Sequence, residues 1–443
     1  LLIVLVFIGH AGCEPPPSES SAVSTRQALN GDWWDNTWLR RVKLTVNNAG
    51  RGPLTDVPVL IRLNTSRVTF SELQATGTDL RFIADDDLTV LPHQVERFVS
   101  GTAAEVWVRL PQVPGSSTTH TFWMYYGNPT APDAQSPAAV RPSFRGVWHF
   151  TESPAGGAGA IEDSTPFAHH GTSSGGMMAN DLLAARIGNG LRFDGQNDYV
   201  SMGLPPGLEI TGPISLEAWV YLGVVQSSVS PFTRIVNKWS GSSGGYALMF
   251  GNAPGIVIMD TADGTTIDEA SAATTLPQAT WQYLAGSWDP TLGSALYLNG
   301  VVTDANPPFT AAILPSPQPF TLASTGGSLY LNGRLDEVRV SGVARSPDWV
   351  SAQFASMSDS LLTYGPVEVR HLSTRVQMPV LTPASWTRVL MLGLTPVRWT
   401  RAPTPARWTR GLTPAPPRPA DPGLGWAATA ELFPPRGGSL FFS

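Results

Sequence analysis

The sequence predicts an all-β protein of two β-sandwich domains, and three observations carry that expectation. Apolar and polar residues alternate over strand-length segments along most of the chain. Gly and Pro are abundant, at 43 and 40 of 443 residues, as many turns between short strands require. No segment carries a consistent apolar helical face for more than about two turns.

The first strand group occupies residues 31–135. Val42, Leu44 and Val46 alternate with Arg41, Lys43 and Thr45, and Val57, Val59, Ile61 and Leu63 keep the same period, as do Val106, Val108 and Leu110. Residues 121–126 are aromatic and extended, and Gly127-Asn128-Pro129 ends them. Such segments pack as an antiparallel sandwich. A Pro-, Ala- and Ser-rich stretch follows and reads as a linker, placed at residues 136–145. The second group, 146–365, contains Leu191 and Phe193 before a turn at 194–198, then Leu216, Ala218 and Val220 facing away from Glu217, Trp219 and Tyr221. Residues 281–288 and 295–298 continue it, with Asn299-Gly300 closing a hairpin. A strand-rich segment of this length fits a large two-sheet jelly roll.

The flanks differ in kind. Residues 1–13 include LLIVLVFIG, too short to span a bilayer. With the following HAGCEPPPSESS they resemble a truncated bacterial lipoprotein signal, in which Cys13 would be lipidated and residues 14–30 would form a polar tether. Secretory cleavage is the alternative. The expected location is therefore exported, either at the outer membrane or cell surface as a lipoprotein or secreted, with membrane contact only through the anchor. Cys13 is the only cysteine, so no disulfide forms within the chain. Residues 366–443 hold 13 Pro, nine Arg and no Lys, with Trp-Thr-Arg at Trp386, Trp399 and Trp408. This tail reads either as a disordered basic extension touching anionic polymer or as a frameshifted end. It carries a net +6 of an overall −6, so the rest of the chain is strongly acidic and offers no surface for nucleic acid.

Two resemblances add to this reading. GDWWDNTWLRRVKLTVNN, TDLRFIADDDLTVLPHQVE, AEVWVRLPQV and FWMYYGNPTA, in that order, resemble the bacterial domain of unknown function 2341, which implies a boundary but no chemistry. GVWHFTE, IEDSTPFAHHGT, IGNGLRFDGQNDYV, ISLEAWV, IVNKW, WQYLAGSWD, LYLNG and LDEVRVSGVARSPDWV resemble a laminin-G-like, concanavalin A-like lectin–glucanase jelly roll. The pairing is typical of exported bacterial proteins. The second resemblance implies one Ca²⁺, held either structurally or at the rim of a sugar site.

The candidate chemistry centres on residues 328–345, SLYLNGRLDEVRVSGVAR, read as two short strands about Asn332-Gly333 and then a strand with adjacent acids. Simple alternation puts Asp336 on the face of Val338 and Val340, and Glu337 on the other. Glucanases of the concanavalin-like fold place acids at E-x-D-x-E spacing, and that pattern is absent here. Glu162 and Asp163 are likewise adjacent. The neighbouring His169 and His170 cannot both ligate one ion from a regular strand, and read as one packed and one exposed ring. No catalytic residue is therefore assigned, and a hydrolase on the same scaffold is the alternative. For calcium, Asp163 and Asp336 are the expected side-chain ligands, against a salt-bridged or hydrogen-bonded role for Asp336. Asp194 and Asp198 read as turn-capping residues. Trp219, Tyr221, Trp239, Tyr246, Trp281 and Trp288 are aromatic candidates for sugar stacking, with Trp239 and Tyr246 at a Gly-Ser loop the preferred ligand-binding pair. The expected function is a non-enzymatic recognition or adhesion protein whose partner is a glycan or an envelope or extracellular protein, with a purely structural surface role as the remaining option.

Overall fold

In the computed structural model, which describes residues 33–308 and 312–370, four antiparallel sheets make two sandwiches. The first sandwich packs a five-stranded sheet on a three-stranded one. The five strands run Leu362–Val369, Arg40–Val46, His120–Tyr126, Arg81–Ala84 and Val90–Leu91, and the three run Leu54–Asn64, Ala103–Val113 and His93–Val99. The alternating residues Val42, Leu44, Val57, Val59, Ile61, Val106 and Val108 fill the space between them, fully buried.

The second sandwich is the concanavalin-like jelly roll. One sheet has eight strands, with Asn332–Ser341 and Ile214–Leu222 adjacent at its centre, and the other has seven, including Arg234–Trp239, Gly245–Phe250, Ile256–Ala262 and Ile267–Ala273. Its interior holds Trp148, Leu216, Ala218, Val220, Leu248, Met259, Trp288, Val338 and Val340. Asn299 and Gly300 have φ of 52° and 79° and close the expected hairpin, since that tight turn needs two left-handed residues.

The two sandwiches belong to one compact unit. Their shared packing runs from the first core through Trp107 and the helix Pro347–Met357 to Trp219, Tyr283 and Tyr297 on the outer face of the eight-stranded sheet. The segment read as a linker carries the short helix Pro137–Val140, and Val140 and Arg141 are fully buried. The final strand, Leu362–Val369, returns to pair with Arg40–Val46.

The helix Pro347–Met357 corrects the expectation of no helix beyond about two turns. Ser346 caps it by accepting from the Trp349 N–H at 3.3 Å, and Pro347 stands at the first helical position. Polar Gln353 and Ser356 break its apolar face, and both are needed inward. Ser356 Oγ accepts from the Leu60 N–H at 2.7 Å, and Gln353 Nε2 donates to the Pro58 carbonyl at 2.8 Å. Tyr364 OH accepts from the Arg62 N–H at 3.1 Å. The strand Leu54–Asn64 is an edge strand, so these side chains satisfy a row of groups that would otherwise invite another chain.

Asn332-Gly333 is not a turn. It lies inside Asn332–Ser341, where a Cβ on Gly333 would stand 2.3 Å from the Tyr221 carbonyl oxygen, so glycine is required for close approach of the backbones.

Candidate functional site

Along Asn332–Ser341, Asp336 pairs with Trp219 but Arg339 pairs with Glu217, so two residues, Glu337 and Val338, oppose the single Ala218. This is a β-bulge, and Glu337 takes the left-handed conformation it requires, with φ of 51°. Leu335 lies in the jelly-roll interior before the bulge, and Val338 and Val340 lie there after it. Asp336, Glu337 and Arg339 therefore all point the other way, towards the first sandwich. This corrects the alternation, which put Asp336 with the valines and separated it from Glu337.

A second bulge stands opposite. In His93–Val99, Val95 pairs with Val106 and Arg97 with Glu105, leaving Glu96 as the extra residue. Its carboxylate turns into the same interface, with no side-chain exposure. His149, immediately after the strand Phe144–Trp148, completes the group. Glu96, His149 and Glu337 offer ligand atoms all within 4.8 Å of one another. His149 Nδ1 lies 3.4 Å from Glu96 Oε2 and closer still to Glu337 Oε1. Trp107 Nε1 donates to Glu96 Oε2 at 2.5 Å, while the Arg339 guanidinium donates to Glu337 Oε2 at 3.0 and 2.5 Å and to Gln353 Oε1 at 2.9 Å. Tyr283 OH donates to Glu217 Oε2 at 2.5 Å. Arg339 lies over the Trp107 ring, 4.5 Å from its centroid.

The electrostatics follow from burial. Desolvation, reinforced by Glu337 and Asp336, holds the Glu96 carboxyl well above the usual range. Asp336 is likewise raised, by burial first and then by Glu337. Burial also works against the charge of Glu337, but His149 and Arg339 more than offset it, and its carboxyl is held low. His149 is lowered, chiefly by burial. Burial disfavours the charge of Arg339, yet Glu337 and Glu217 outweigh it and the guanidinium stays cationic. Four carboxylates thus converge without the E-x-D-x-E pattern. With Glu96 and Glu337 wholly shielded from solvent, no polymeric substrate reaches them.

Asp163 and Asp336 do not come together in this group. The Asp163 carboxylate is filled by protein donors: the N–H groups of Val147, Thr165 and His169 at 2.9 Å each, and Thr165 Oγ1 at 2.8 Å. A cation there would have to displace them. Asp336 Oδ2 accepts from the Ile187 N–H at 2.8 Å, and its other oxygen has no hydrogen-bond partner. His169 is half-buried with Nδ1 on the Arg145 carbonyl at 2.8 Å, and His170 is exposed. Asp194 accepts from the Gln196 and Asn197 N–H groups of its own turn. Cys13 lies outside the described residues, as does nearly all of the tail.

The aromatic pair is split by the seven-stranded sheet. Tyr246 is not at a loop surface. It points into the jelly-roll interior and its hydroxyl donates to the Leu208 carbonyl at 2.8 Å, which corrects its assignment to ligand binding. Trp239 ends the strand Arg234–Trp239 rather than sitting in a loop, and packs half-buried with Ala247, Met249, Ile256 and Ile258 on the sheet's outer face. Trp219 and Trp288 are buried, the latter donating to Asp268 at 3.0 Å, while Tyr221 and Trp281 form a half-buried pair.

Strand register lays out this outer face. One row crosses it as Thr321, Asn237, Ala247, Asp260 and Glu269, and a second as Arg234, Met249, Ile258 and Ser271. Asn237 Nδ2 donates to Thr321 Oγ1 at 3.2 Å, and Arg234 Nε donates to Asn237 Oδ1 at 3.1 Å. Asp260 Oδ1 has no hydrogen-bond partner, and burial pushes its carboxyl up to about 7. Sequence reading found Trp239 but missed Arg234, Asn237 and Asp260. Asn237 and Asp260 stand beside apolar residues in IVNKW and IVIMDTA, and Arg234 stands just before the first, but neither segment alternates to mark them.

Two family models match the chain. One, described as the Concanavalin A-like lectin/glucanases superfamily, covers residues 194–351, and the other, Domain of unknown function (DUF2341), covers 76–154. No curated protein matches it significantly. Among solved structures it is similar to the binding domain of Paraclostridial Mosquitocidal Protein 1, with 13% identity over 49% of this chain and 52% of that one and a TM-score of 0.40. It is also similar to domain 4 of AbnA, a GH43 extracellular arabinanase from Geobacillus stearothermophilus in complex with arabinotriose, with 20% identity over 47% of this chain and 97% of that one and a TM-score of 0.38. The botulinum neurotoxin serotype C1 binding domain shares 11% identity over 49% of this chain and 52% of that one, with a TM-score of 0.39. The chain spans about half the length of these two toxin binding domains. It is therefore similar in its second sandwich to concanavalin A-like lectins and glucanases, and in part of its first to a family of unknown function.

Proposed function

We propose that the protein is a non-catalytic recognition module that binds glycan across the outer face of its seven-stranded sheet. The observation that carries this reading is the juxtaposition on that face of a half-buried indole, Trp239, with exposed Glu269 and half-buried Ser271, above a buried polar layer of Arg234, Asn237, Asp260 and Thr321. A pyranose ring presents an apolar face for stacking and hydroxyls that need both donors and acceptors. The convergence of four buried acids does not support a hydrolase, because the cluster is sealed.

Immobilised polysaccharides and a glycan array test the reading with the full chain. Trp239→Ala and Glu269→Ala are expected to weaken binding at least about tenfold, or about 1.4 kcal/mol, with an unchanged fold by circular dichroism. Retention of no glycan, or undiminished binding by both variants, removes it. Export and a lipid tether at Cys13 belong to the same proposal and are supported by the sequence alone. Cells expressing the gene with its signal should incorporate radiolabelled palmitate into the wild-type protein but not into Cys13→Ala, and equal labelling of the two would discard the anchor.

A further inference from the structure

We propose that Glu96, His149 and Glu337 form a binding site, between the two sandwiches, for a divalent transition-metal ion of the kind that takes imidazole and carboxylate ligands, such as zinc. The three side chains come from separate strands or strand ends, and two of them are delivered by bulges that depart from regular pairing at the acidic residue itself. Bulges re-aim side chains, and two aimed at one histidine imply a shared target.

The surrounding groups orient the two carboxylates as metal ligands are oriented, while His149 Nε2 has no hydrogen-bond partner among the described residues. Arg339 occupies Glu337 Oε2 and leaves Oε1 facing His149, while the Trp107 indole holds Glu96 Oε2. Such outer partners fix the direction of a ligating carboxylate. Glu96 Oε1 has no hydrogen-bond partner, although the side chain is wholly buried. An unpaired buried carboxylate oxygen is costly, and a cation removes that cost. It sits over Gly188, 2.8 Å from where a Cβ would stand, and Gly188 has the left-handed φ of 54° that a side chain would strain. Glu96, Glu337 and His149 each supply one donor, three in all.

The charge pattern agrees. Glu96, Glu217, Asp336 and Glu337 share this interior with Arg141 and Arg339, while Arg186 and Arg345 flank it. Arg339 makes ion pairs with Glu337 and Glu217, whereas the partner of Glu96 within ion-pair distance among the described residues is His149. The imidazole favours zinc-like ions over calcium or magnesium, which take oxygen donors.

The test uses the full chain, stripped by chelator, loaded with zinc alone and dialysed. About one retained zinc per chain and a melting temperature raised by zinc are expected, both lost in Glu96→Gln and His149→Gln. X-ray absorption of the zinc-loaded wild type should show a single imidazole with oxygen donors, which decides the matter even if a variant does not fold. A wild type that neither retains zinc nor melts higher with it overturns the proposal, as does a site with sulfur or several imidazoles.

Discussion

Replacing Arg339 by Met should destabilise the protein by about 3–5 kcal/mol in denaturant unfolding, the usual result of stripping one partner from a buried ion pair. The guanidinium is 1% exposed and reaches Glu337, Glu217 and Gln353 at once. Without it, the hydrogen-bond partner left to Glu337 among the described residues is His149, and that left to Glu217 is Tyr283. Met preserves much of the side-chain volume over the Trp107 ring, so the loss measures charge rather than a cavity. The double variant Arg339→Met, Glu337→Gln should recover a large part of that loss, because no uncompensated carboxylate remains at the bulge. A double-mutant cycle separates the coupling from the individual effects. A single-variant loss below about 1 kcal/mol, or a double variant no more stable than the single, would contradict this account.

The second large effect is a dependence on pH with two opposed limbs. Asp260 is 4% exposed, and burial, then Glu269, raise its carboxyl to about 7 against the pull of Arg234. In the unfolded chain that carboxyl ionises near pH ~4, while in the folded chain it stays protonated to about 7. Its contribution is therefore fully present below pH ~4 and is lost as the pH rises to about 7, at a cost of about 4 kcal/mol. Asp260→Asn, which mimics the protonated acid, should be more stable than the wild type at pH 8 and nearly equal to it at pH 4. His93 acts in the opposite direction. Burial, then Arg81, lower it to about 4, so the folded chain keeps it neutral where the unfolded chain protonates near pH ~6.5. Stability falls from that pH down to about 4, by about 3 kcal/mol in all. His93→Gln should flatten the acid limb. A difference between Asp260→Asn and wild type that is constant from pH 4 to 8 in guanidinium midpoints would refute the assignment.

Much of the architecture was legible because regular strands obey a period of two. Val42–Leu44–Val46 and Leu216–Ala218–Val220 were each assigned to a single face from alternation alone, and each set lies together in one core. Asn299-Gly300 carried its turn in its chemistry. The acidic interface was not legible, since a bulge is a departure from that period and no residue type announces it. Glu337 adopts positive φ without being glycine, and Glu96 looked like one polar residue among several in HQVERFV. The helix after Ser346 had its Ser-Pro-Asp start in plain view. Its buried Gln353 and Ser356, which serve the edge of Leu54–Asn64, obscured the apolar face. Tyr246 was misplaced because Trp239 was taken as loop-borne rather than as a strand end, and strand parity sends the two rings to opposite faces.

The pairing of Arg40–Val46 with Leu362–Val369 sets a timetable for synthesis. A ribosome delivers the first of these strands some three hundred residues before the second. Throughout that interval the five-stranded sheet lacks an outermost member, and Arg40–Val46 is itself the open margin. The free flank of Leu54–Asn64 also waits, because Gln353, Ser356 and Tyr364 emerge late. The amino-terminal sandwich therefore cannot mature as an independent early unit, as consecutive domains commonly do. It is finished last, by the end of the segment that follows it, and the nascent chain needs protection from strand exchange until then.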